Sequence, residues 1–185
     1  MLMACIFLLF SQILEQGREY GRKKIVLFSI PKIRAMDFMN GKSLVRYSAA
    51  ETLKDEHMLN FHVRPFEWEQ GITNTQSVSG DFGNAYLQIR LNCIQFYDKT
   101  ILILEDKKLL HSFTQLKQPI PVDILVISKS LNINIHEVKK NFDPQQIIFD
   151  SSNSFSKIKN WKKECESMNQ NYYSVLDKGA FDISL

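Results

Sequence analysis

The sequence has few of the residues that build disulfide frameworks and metal clusters. Its 185 residues include only three cysteines, which are widely scattered and form no CxxC pair. This excludes a disulfide framework and a zinc ribbon, and it is typical of proteins in a reducing compartment. The four histidines are His57, His62, His111 and His136. No two of them have a spacing that would bring both side chains to one metal ion. We therefore predict no metal and no other cofactor.

Phosphate-cradling motifs are also missing, because the chain contains neither GxxxxGK[ST] nor GxGxxG. The Asp81-Phe82-Gly83 triplet has no accompanying kinase segments, so we expect a flexible loop over residues 77–83. The 44% hydrophobic and 23% charged residues are typical of one globular domain with at most a short appendage. A net charge of +3 permits contact with nucleic acid or an anionic membrane without requiring it.

The first residues differ from the rest of the chain. Residues 1–14 are uncharged and almost entirely apolar, and basic residues follow at 18 and 22–24. The run is shorter than the roughly 20 residues of a full membrane span, but it is apolar on all faces and basic residues mark the cytoplasmic side of spans. We interpret residues 1–17 as the end of a transmembrane helix and residues 18–24 as a basic linker. A buried core helix and a signal or anchor segment are the alternatives.

Residues 25–185 have the pattern of one globular domain that mixes strands and helices. The Asn40-Gly41 step between two β-like runs predicts a hairpin with a type I′ turn. Residues 52–75 show no clean period. Further strands are predicted at residues 25–30, 86–96, 100–104, 122–127, 146–149, 172–175 and 180–185. Helices are predicted near residues 136–141 and after Asn153-Ser154, so the second half alternates strand and helix and predicts helices packed on a sheet.

The helix after Ser154 is amphipathic. Ile158, Trp161 and Cys165 share one apolar face, where the cysteine is expected to be a buried hydrophobe. A candidate basic face lies opposite and consists of Lys159, Lys162 and Lys163. Such lysines can contact nucleic-acid phosphates, although a solvated helix face is the simpler interpretation.

Two stretches carry a family resemblance. Residues 22–45 lead from a basic linker into a strand and a hairpin, and residues 123–185 run as an aspartate-led strand, helix, strand, helix and a final strand after Gly179-Ala180. In this order the stretches resemble the C-terminal domain of ComEC-type DNA internalisation proteins, especially those of Bacteroidetes-like bacteria. The resemblance implies an α+β fold, namely a degenerate metallo-β-lactamase-like β-sandwich with covering helices, preceded by the stub of a transmembrane helix.

The metal motifs of that family are absent from this sequence. Neither HxHxDH nor an HHGS-like loop occurs, and Ser128-Lys129-Ser130 follows the strand where the family has its late histidines. Asp106 corresponds to the family's aspartate after a hydrophobic strand. One carboxylate cannot hold a catalytic zinc ion, which needs about three protein ligands. The resemblance therefore implies a domain that keeps the fold without the metal chemistry and is not an enzyme.

The resemblance also implies a location and partners. We expect a non-catalytic domain on the cytoplasmic side of an inner-membrane DNA uptake channel, which scaffolds the channel or contacts DNA during natural transformation. The expected partners are single-stranded DNA, the membrane through the N-terminal segment, and the transmembrane part of the same channel protein.

The resemblance places five polar residues at strand ends, where the family has its active site. They are expected to form a residual polar cleft or DNA contact, and they are Lys129, Ser130, Asp150, Ser151 and Asn153. A helix cap over residues 150–153 is the alternative.

Two other functions stay open at this point. One is a metal-dependent nuclease with an atypical site, in which Asp37, Asp106 and Asp150 bind Mg²⁺. The other is a membrane-anchored interaction domain unrelated to DNA.

Overall fold

The computed structural model describes residues 21–31, 33–49, 56–112 and 118–185. The predicted transmembrane stub at residues 1–17, and residues 18–20 of the predicted linker, lie outside these ranges. Across the described ranges, no helix combines the length and apolar character that crossing a membrane requires.

The described residues form two β-sheets and a small number of helices. The strands are β1 (Lys23–Leu27), β2 (Ala35–Asn40), β3 (Ser43–Ser48), β4 (Asn74–Val78), β5 (Phe82–Gly83), β6 (Leu87–Arg90), β7 (Cys93–Phe96), β8 (Lys99–Leu104), β9 (Ile120–Ile127), β10 (Phe142–Phe149), β11 (Tyr172–Ser174) and β12 (Phe181–Ser184). The helices are α1 (Glu56–His62), α2 (Arg64–Glu69), α3 (Lys108–Ser112), α4 (Ile135–Asn141), α5 (Phe155–Ser167) and α6 (Val175–Lys178).

Sheet one has five strands in the order β12-β1-β2-β3-β4, and sheet two has seven in the order β11-β10-β9-β8-β7-β6-β5. In sheet two, β8 to β11 are mutually parallel, whereas β5 to β8 form an antiparallel meander. Parallel neighbours need a crossover connection, and α4 and α5 supply it between β9, β10 and β11. The predicted alternation of strand and helix in the second half is therefore confirmed.

The two sheets pack face to face around one hydrophobic core. Alternate residues of both sheets enter it, and Phe38 of sheet one meets Phe96 of sheet two with ring centroids 5.4 Å apart. A second cluster joins the outer face of sheet two to α3, α4 and α5, where Trp161 and Cys165 are buried as predicted. A third joins the outer face of sheet one to α1 and α2. The layers therefore run helix, sheet, sheet, helix.

The hairpin of β2 and β3 is confirmed, but its predicted turn type is wrong. Asn40 is the last paired residue of β2, so the two loop residues are Gly41 and Lys42. Gly41 has φ +60° and Lys42 has no positive φ. A positive φ at the first loop position alone is the pattern of a type II′ turn, which favours glycine there.

Other differences come from turns and helices that the sequence pattern does not signal. The single strand predicted over residues 86–96 is two strands, β6 and β7, joined at Leu91-Asn92 with φ +53° at Leu91. Residues 77–83 are not one loop, because β4 continues to Val78 and β5 begins at Phe82. Within residues 52–75, the described part contains α1, α2 and the start of β4, and Pro65 occupies the first turn of α2.

Candidate functional site

The carboxyl ends of the parallel strands in sheet two carry a cluster of polar residues. Glu105 follows β8, Ser128 follows β9 and Asp150 follows β10. Crevices beyond this end of parallel strands are where ligands bind in open α/β sheets. A cavity of about 280 Å³, here named the strand-end cleft, opens at this place and is lined by Ile33, Arg34, Tyr47, Ser48, Ala49, Ser79, Glu105, Ser128, Lys129 and Ser152.

Two cations of the strand-end cleft share one carboxylate oxygen. Arg34 Nη1 donates to Glu105 Oε2 at 2.9 Å, and Lys129 Nζ lies 3.1 Å from the same oxygen. Burial raises the pKa of Glu105, but the charge of Arg34 and hydrogen bonds from both cations outweigh it, so this pKa lies below its ordinary value. Two cations against one ionised carboxylate leave the lining with an excess positive charge.

The cations keep donors that Glu105 does not use. Arg34 Nε is buried and has no hydrogen-bond partner among the residues that the structure describes. A guanidinium carries five N–H donors and an ammonium carries three, so the shared oxygen takes up one donor of each cation. The Arg34 side chain is 14% exposed and that of Lys129 is 62% exposed, so one cation is fixed in the wall and the other reaches solvent.

Asp150 clamps the two loops that follow β9 and β10. Its carboxylate is fully buried and accepts a hydrogen bond from Ser128 Oγ. Ser152 donates to it from the backbone N at 3.0 Å and from Oγ at 2.5 Å, and Asn153 Nδ2 donates at 3.1 Å. Burial raises the pKa of Asp150, and the donors of Ser128 and Ser152 partly oppose this. The carboxylate is therefore a structural acceptor beneath the cleft.

Lys129 and Ser130 both adopt the left-handed backbone region, with φ +61° and +50°. For residues other than glycine this region costs roughly 1–2 kcal/mol each. Hydrogen bonds hold the strained pair: Lys129 N donates to Ser152 Oγ at 2.7 Å, and Ser130 N donates to Asn153 Oδ1 at 2.9 Å. Ser130 Oγ in turn accepts from Ser154 N at 2.7 Å. Strain of this kind concentrates at functional sites, and here it fixes the backbone of a cleft cation.

The strain gives a matched pair of variants. Lys129→Gly is expected to be more stable than Lys129→Ala by about 1 kcal/mol, because glycine adopts the left-handed region without steric cost and both variants lack the lysine charge. Urea unfolding of the two variants measures the difference. The same pair at Lys159 inside α5 is the control, where glycine is expected to be the less stable by about 1 kcal/mol. Equal stabilities at position 129 would contradict the strained conformation.

The five residues predicted for a polar cleft come together in the two loops, but with different roles. Lys129 lines the cleft, whereas Ser130, Asp150 and Asn153 belong to the network beneath it. Ser151 Oγ ties the network to the segment before β2, donating to the carbonyl oxygens of residue 30 at 2.5 Å and residue 33 at 3.0 Å.

The alternative of a helix cap over residues 150–153 does not describe α5. The N-cap of that helix is Ser154, whose side chain makes no capping hydrogen bond.

Sequence reasoning missed Arg34 and Glu105. Glu105 could have been predicted from the sequence, since it directly follows the buried strand β8. Arg34 had none, because it comes from the connection between β1 and β2 and reaches the cleft only when sheet one packs on sheet two.

The predicted basic face of α5 is only partly free. Lys162 pairs with Asp177 of α6, whereas Lys159 and Lys163 are exposed. On the apolar face, burial raises the pKa of Cys165 to about 12, which agrees with the predicted inert hydrophobe.

The acidic residues considered for Mg²⁺ are not brought together. Asp37 lies in β2 and pairs with Arg46 of β3, Asp106 accepts from the backbone N of Lys108, and Asp150 is in the clamp. Within the described ranges, no group of three or more His, Cys, Asp or Glu side chains converges as a metal site would. The strand-end cleft presents one carboxylate, Glu105, against two cations, and this set does not fit a zinc ion, which needs about three nitrogen, sulfur or carboxylate ligands.

The family model of the ComEC C-terminal domain matches residues 25–185. The chain belongs to the ComEC C-terminal domain family. This membership connects it to competence and DNA uptake. No curated protein and no solved structure matches the chain significantly.

Proposed function

We propose that this chain is a non-catalytic ComEC C-terminal domain that contacts single-stranded DNA during natural transformation. The observation that carries the proposal is the strand-end cleft, whose two cations outnumber its one carboxylate and suit a phosphate anion. A divalent metal ion at the same place would be repelled by Arg34 and Lys129. The position where a metal-dependent nuclease of this family would bind metal is thus proposed to have become a DNA contact.

The proposed fold is the degenerate metallo-β-lactamase-like sandwich that the resemblance implies. The layer order of helix, sheet, sheet and helix supports it, as does the placement of the polar loops at the carboxyl ends of β8, β9 and β10. The proposed division of the chain is residues 1–17 as the end of a transmembrane helix, residues 18–24 as a linker and residues 25–185 as the globular domain.

The proposed location is the cytoplasmic side of the inner membrane. ComEC proteins are generally membrane-associated, and the family match begins directly after the apolar and basic residues of the N-terminal segment. In this arrangement the domain would lie next to the transmembrane part of the same channel protein. The negatively charged phosphate backbone of single-stranded DNA leaving the channel would then contact the cleft.

The experiment uses the full chain, purified with a mild detergent because of its apolar first residues. Fluorescent single- and double-stranded DNA are added with Mg²⁺, Mn²⁺ or Zn²⁺ in turn, and binding is followed by anisotropy and cleavage by gel. We expect every DNA to stay intact and the single strand to bind. The logarithm of the binding constant is expected to fall with the logarithm of salt concentration, by about 0.7 for each phosphate contacted.

Each other outcome selects a different function. Cleavage that a chelator stops, and that Asp106→Ala or Asp150→Ala abolishes, would make the domain a nuclease with an atypical site. Intact DNA without binding would overturn the DNA contact and leave scaffolding of the channel, or an anchored interaction domain unrelated to DNA.

A further inference from the structure

We infer that the strand-end cleft is a single-phosphate site, in which Arg34 and Lys129 hold the anion beside their shared contact with Glu105. The inference deepens the proposed function, because a DNA strand is the expected source of the phosphate. The proposed site differs from a metal site, since hydrogen-bond donors and the positive charge of two side chains hold the ligand and no metal ion takes part.

The donor geometry favours an oxyanion. Both cations contact Glu105 Oε2, at 2.9 and 3.1 Å, so they lie side by side in the cleft, and a phosphate beside the carboxylate would bind their other N–H donors. The guanidinium plane gives Arg34 paired donors that match phosphate oxygens, and its Nε is buried without a partner among the described residues. Lys129 adds a mobile point charge, because its side chain is largely exposed while its backbone is fixed by Ser152.

The surroundings limit the size and charge of the ligand. A cavity of about 280 Å³ lies just below the roughly 300–1,000 Å³ of drug-sized ligand sites, so it suits one phosphate with its sugar and not a duplex. Glu105 is the only carboxylate among the described lining residues, and Asp150 is kept away beneath the loops by its own donors. Removing the Glu105 charge is therefore expected to strengthen binding, and removing either cation to weaken it.

The test measures binding of three probes to the full chain by calorimetry and anisotropy. The probes are inorganic phosphate, a single strand with a 5′-phosphate, and the same strand with a 5′-hydroxyl. The variant Arg34→Gln with Lys129→Gln is expected to weaken binding about tenfold or more, as loss of charge-assisted hydrogen bonds does. Glu105→Gln is expected to tighten binding severalfold, because it frees both cations from the carboxylate that competes with the phosphate for them.

Matched controls separate the cleft from general electrostatics. Arg64→Gln with Lys140→Gln removes one arginine and one lysine charge from exposed positions of α2 and α4, and it is expected to change binding less than twofold. Glu137→Gln removes one carboxylate from α4, where Glu137 pairs with Lys107 at 3.5 Å. It is expected to leave phosphate binding unchanged. If the double cleft variant does not fold, Lys129→Asn serves instead, because asparagine tolerates the left-handed backbone.

The outcomes distinguish this inference from the proposed function. Single-stranded DNA that binds the wild-type chain and the cleft variant equally would overturn the phosphate site while leaving the DNA contact in place. Inorganic phosphate that binds through the cleft without any DNA binding would support the site and overturn the DNA contact. Binding of only the 5′-phosphorylated strand would assign the site to strand ends, and equal binding of both strands would assign it to the backbone.

Discussion

Replacing Arg46 by methionine is expected to lower the free energy of unfolding by about 3–5 kcal/mol at pH 7, the usual cost of removing one partner from a buried ion pair. Arg46 in β3 lies opposite Asp37 in β2, and its Nε and Nη2 donate to the two oxygens of Asp37 at 2.9 and 2.7 Å. The Asp37 side chain is fully buried, and Nη2 also donates to Glu67 of α2 at 2.7 Å. Without the cation, two carboxylates face each other in the interior.

The loss is expected to depend on pH. Burial raises the pKa of Asp37 to about 6, although the hydrogen bond and charge of Arg46 oppose the shift. Because this pKa is higher in the folded chain than in the unfolded one, the contribution of Asp37 to stability is largest below pH 4 and is lost as the pH rises through about 6. In the Arg46→Met variant that decline is expected to extend to higher pH, so acidification should recover part of the lost stability.

Urea unfolding between pH 4 and pH 8 measures both effects. The control combines Arg46→Met with Asp37→Leu and Glu67→Gln, which removes all three charges and is expected to be near neutral and insensitive to pH in this range. If Arg46→Met were as stable as the wild-type chain at pH 7, the ion pairs of Arg46 with Asp37 and Glu67 would not be what holds α2 to sheet one.

Asp150→Ala is expected to lower the free energy of unfolding by about 3 kcal/mol, because buried donors left without an acceptor cost about 1–3 kcal/mol each. Ser128 is the buried residue whose donor is left without this acceptor, and Ser152 loses it at a half-buried position, whereas Asn153 Nδ2 keeps the carbonyl oxygen of residue 127 at 2.6 Å. The expected second effect is weaker phosphate binding, since the clamp fixes the backbone of Lys129 through Ser152. Asp150 would then be a positioning residue that never touches the ligand.

The measurement pairs urea unfolding with phosphate titration. Asp150→Asn is the milder comparison, because its amide keeps one acceptor oxygen, and it is expected to keep more of both stability and binding. Asp106→Ala is the control, since Asp106 is exposed and its carboxylate accepts from the backbone N of Lys108 in the first turn of α3. If Asp150→Ala destabilised the chain without changing phosphate binding, the clamp would be structural alone.

Some features of the site follow directly from sequence. The predicted hairpin places Asp37 opposite Arg46 once the two loop residues are fixed, because each stands three residues from the turn pair Asn40 and Ser43. The predicted alternation of strand and helix is borne out by parallel strands β9 and β10, which bring Ser128 and Asp150 to one edge of the sheet, since parallel strands share their carboxyl ends. The hydrophobic period of an element and the order of elements along the chain can both be read from a single sequence.

Other features needed the folded chain. Leu91 and Lys129 have positive φ although neither is glycine or asparagine, because neighbouring hydrogen bonds outweigh the local preference. Asp106 was the expected family aspartate, yet its neighbour Glu105 lines the cleft. Of these two adjacent carboxylates, one is exposed to solvent and the other contacts two cations.

The sequence by itself determined the hairpin of β2 and β3, the alternation of strand and helix in the second half, and the apolar face of α5 that buries Trp161 and Cys165. The tertiary structure alone decided that Arg34 of one sheet meets Glu105 and Lys129 of the other. The physical reason is that hydrophobic periodicity specifies which face of a sheet is buried, whereas the meeting of two sheets depends on how their side chains interdigitate. The charge of the cleft is therefore a product of sandwich packing.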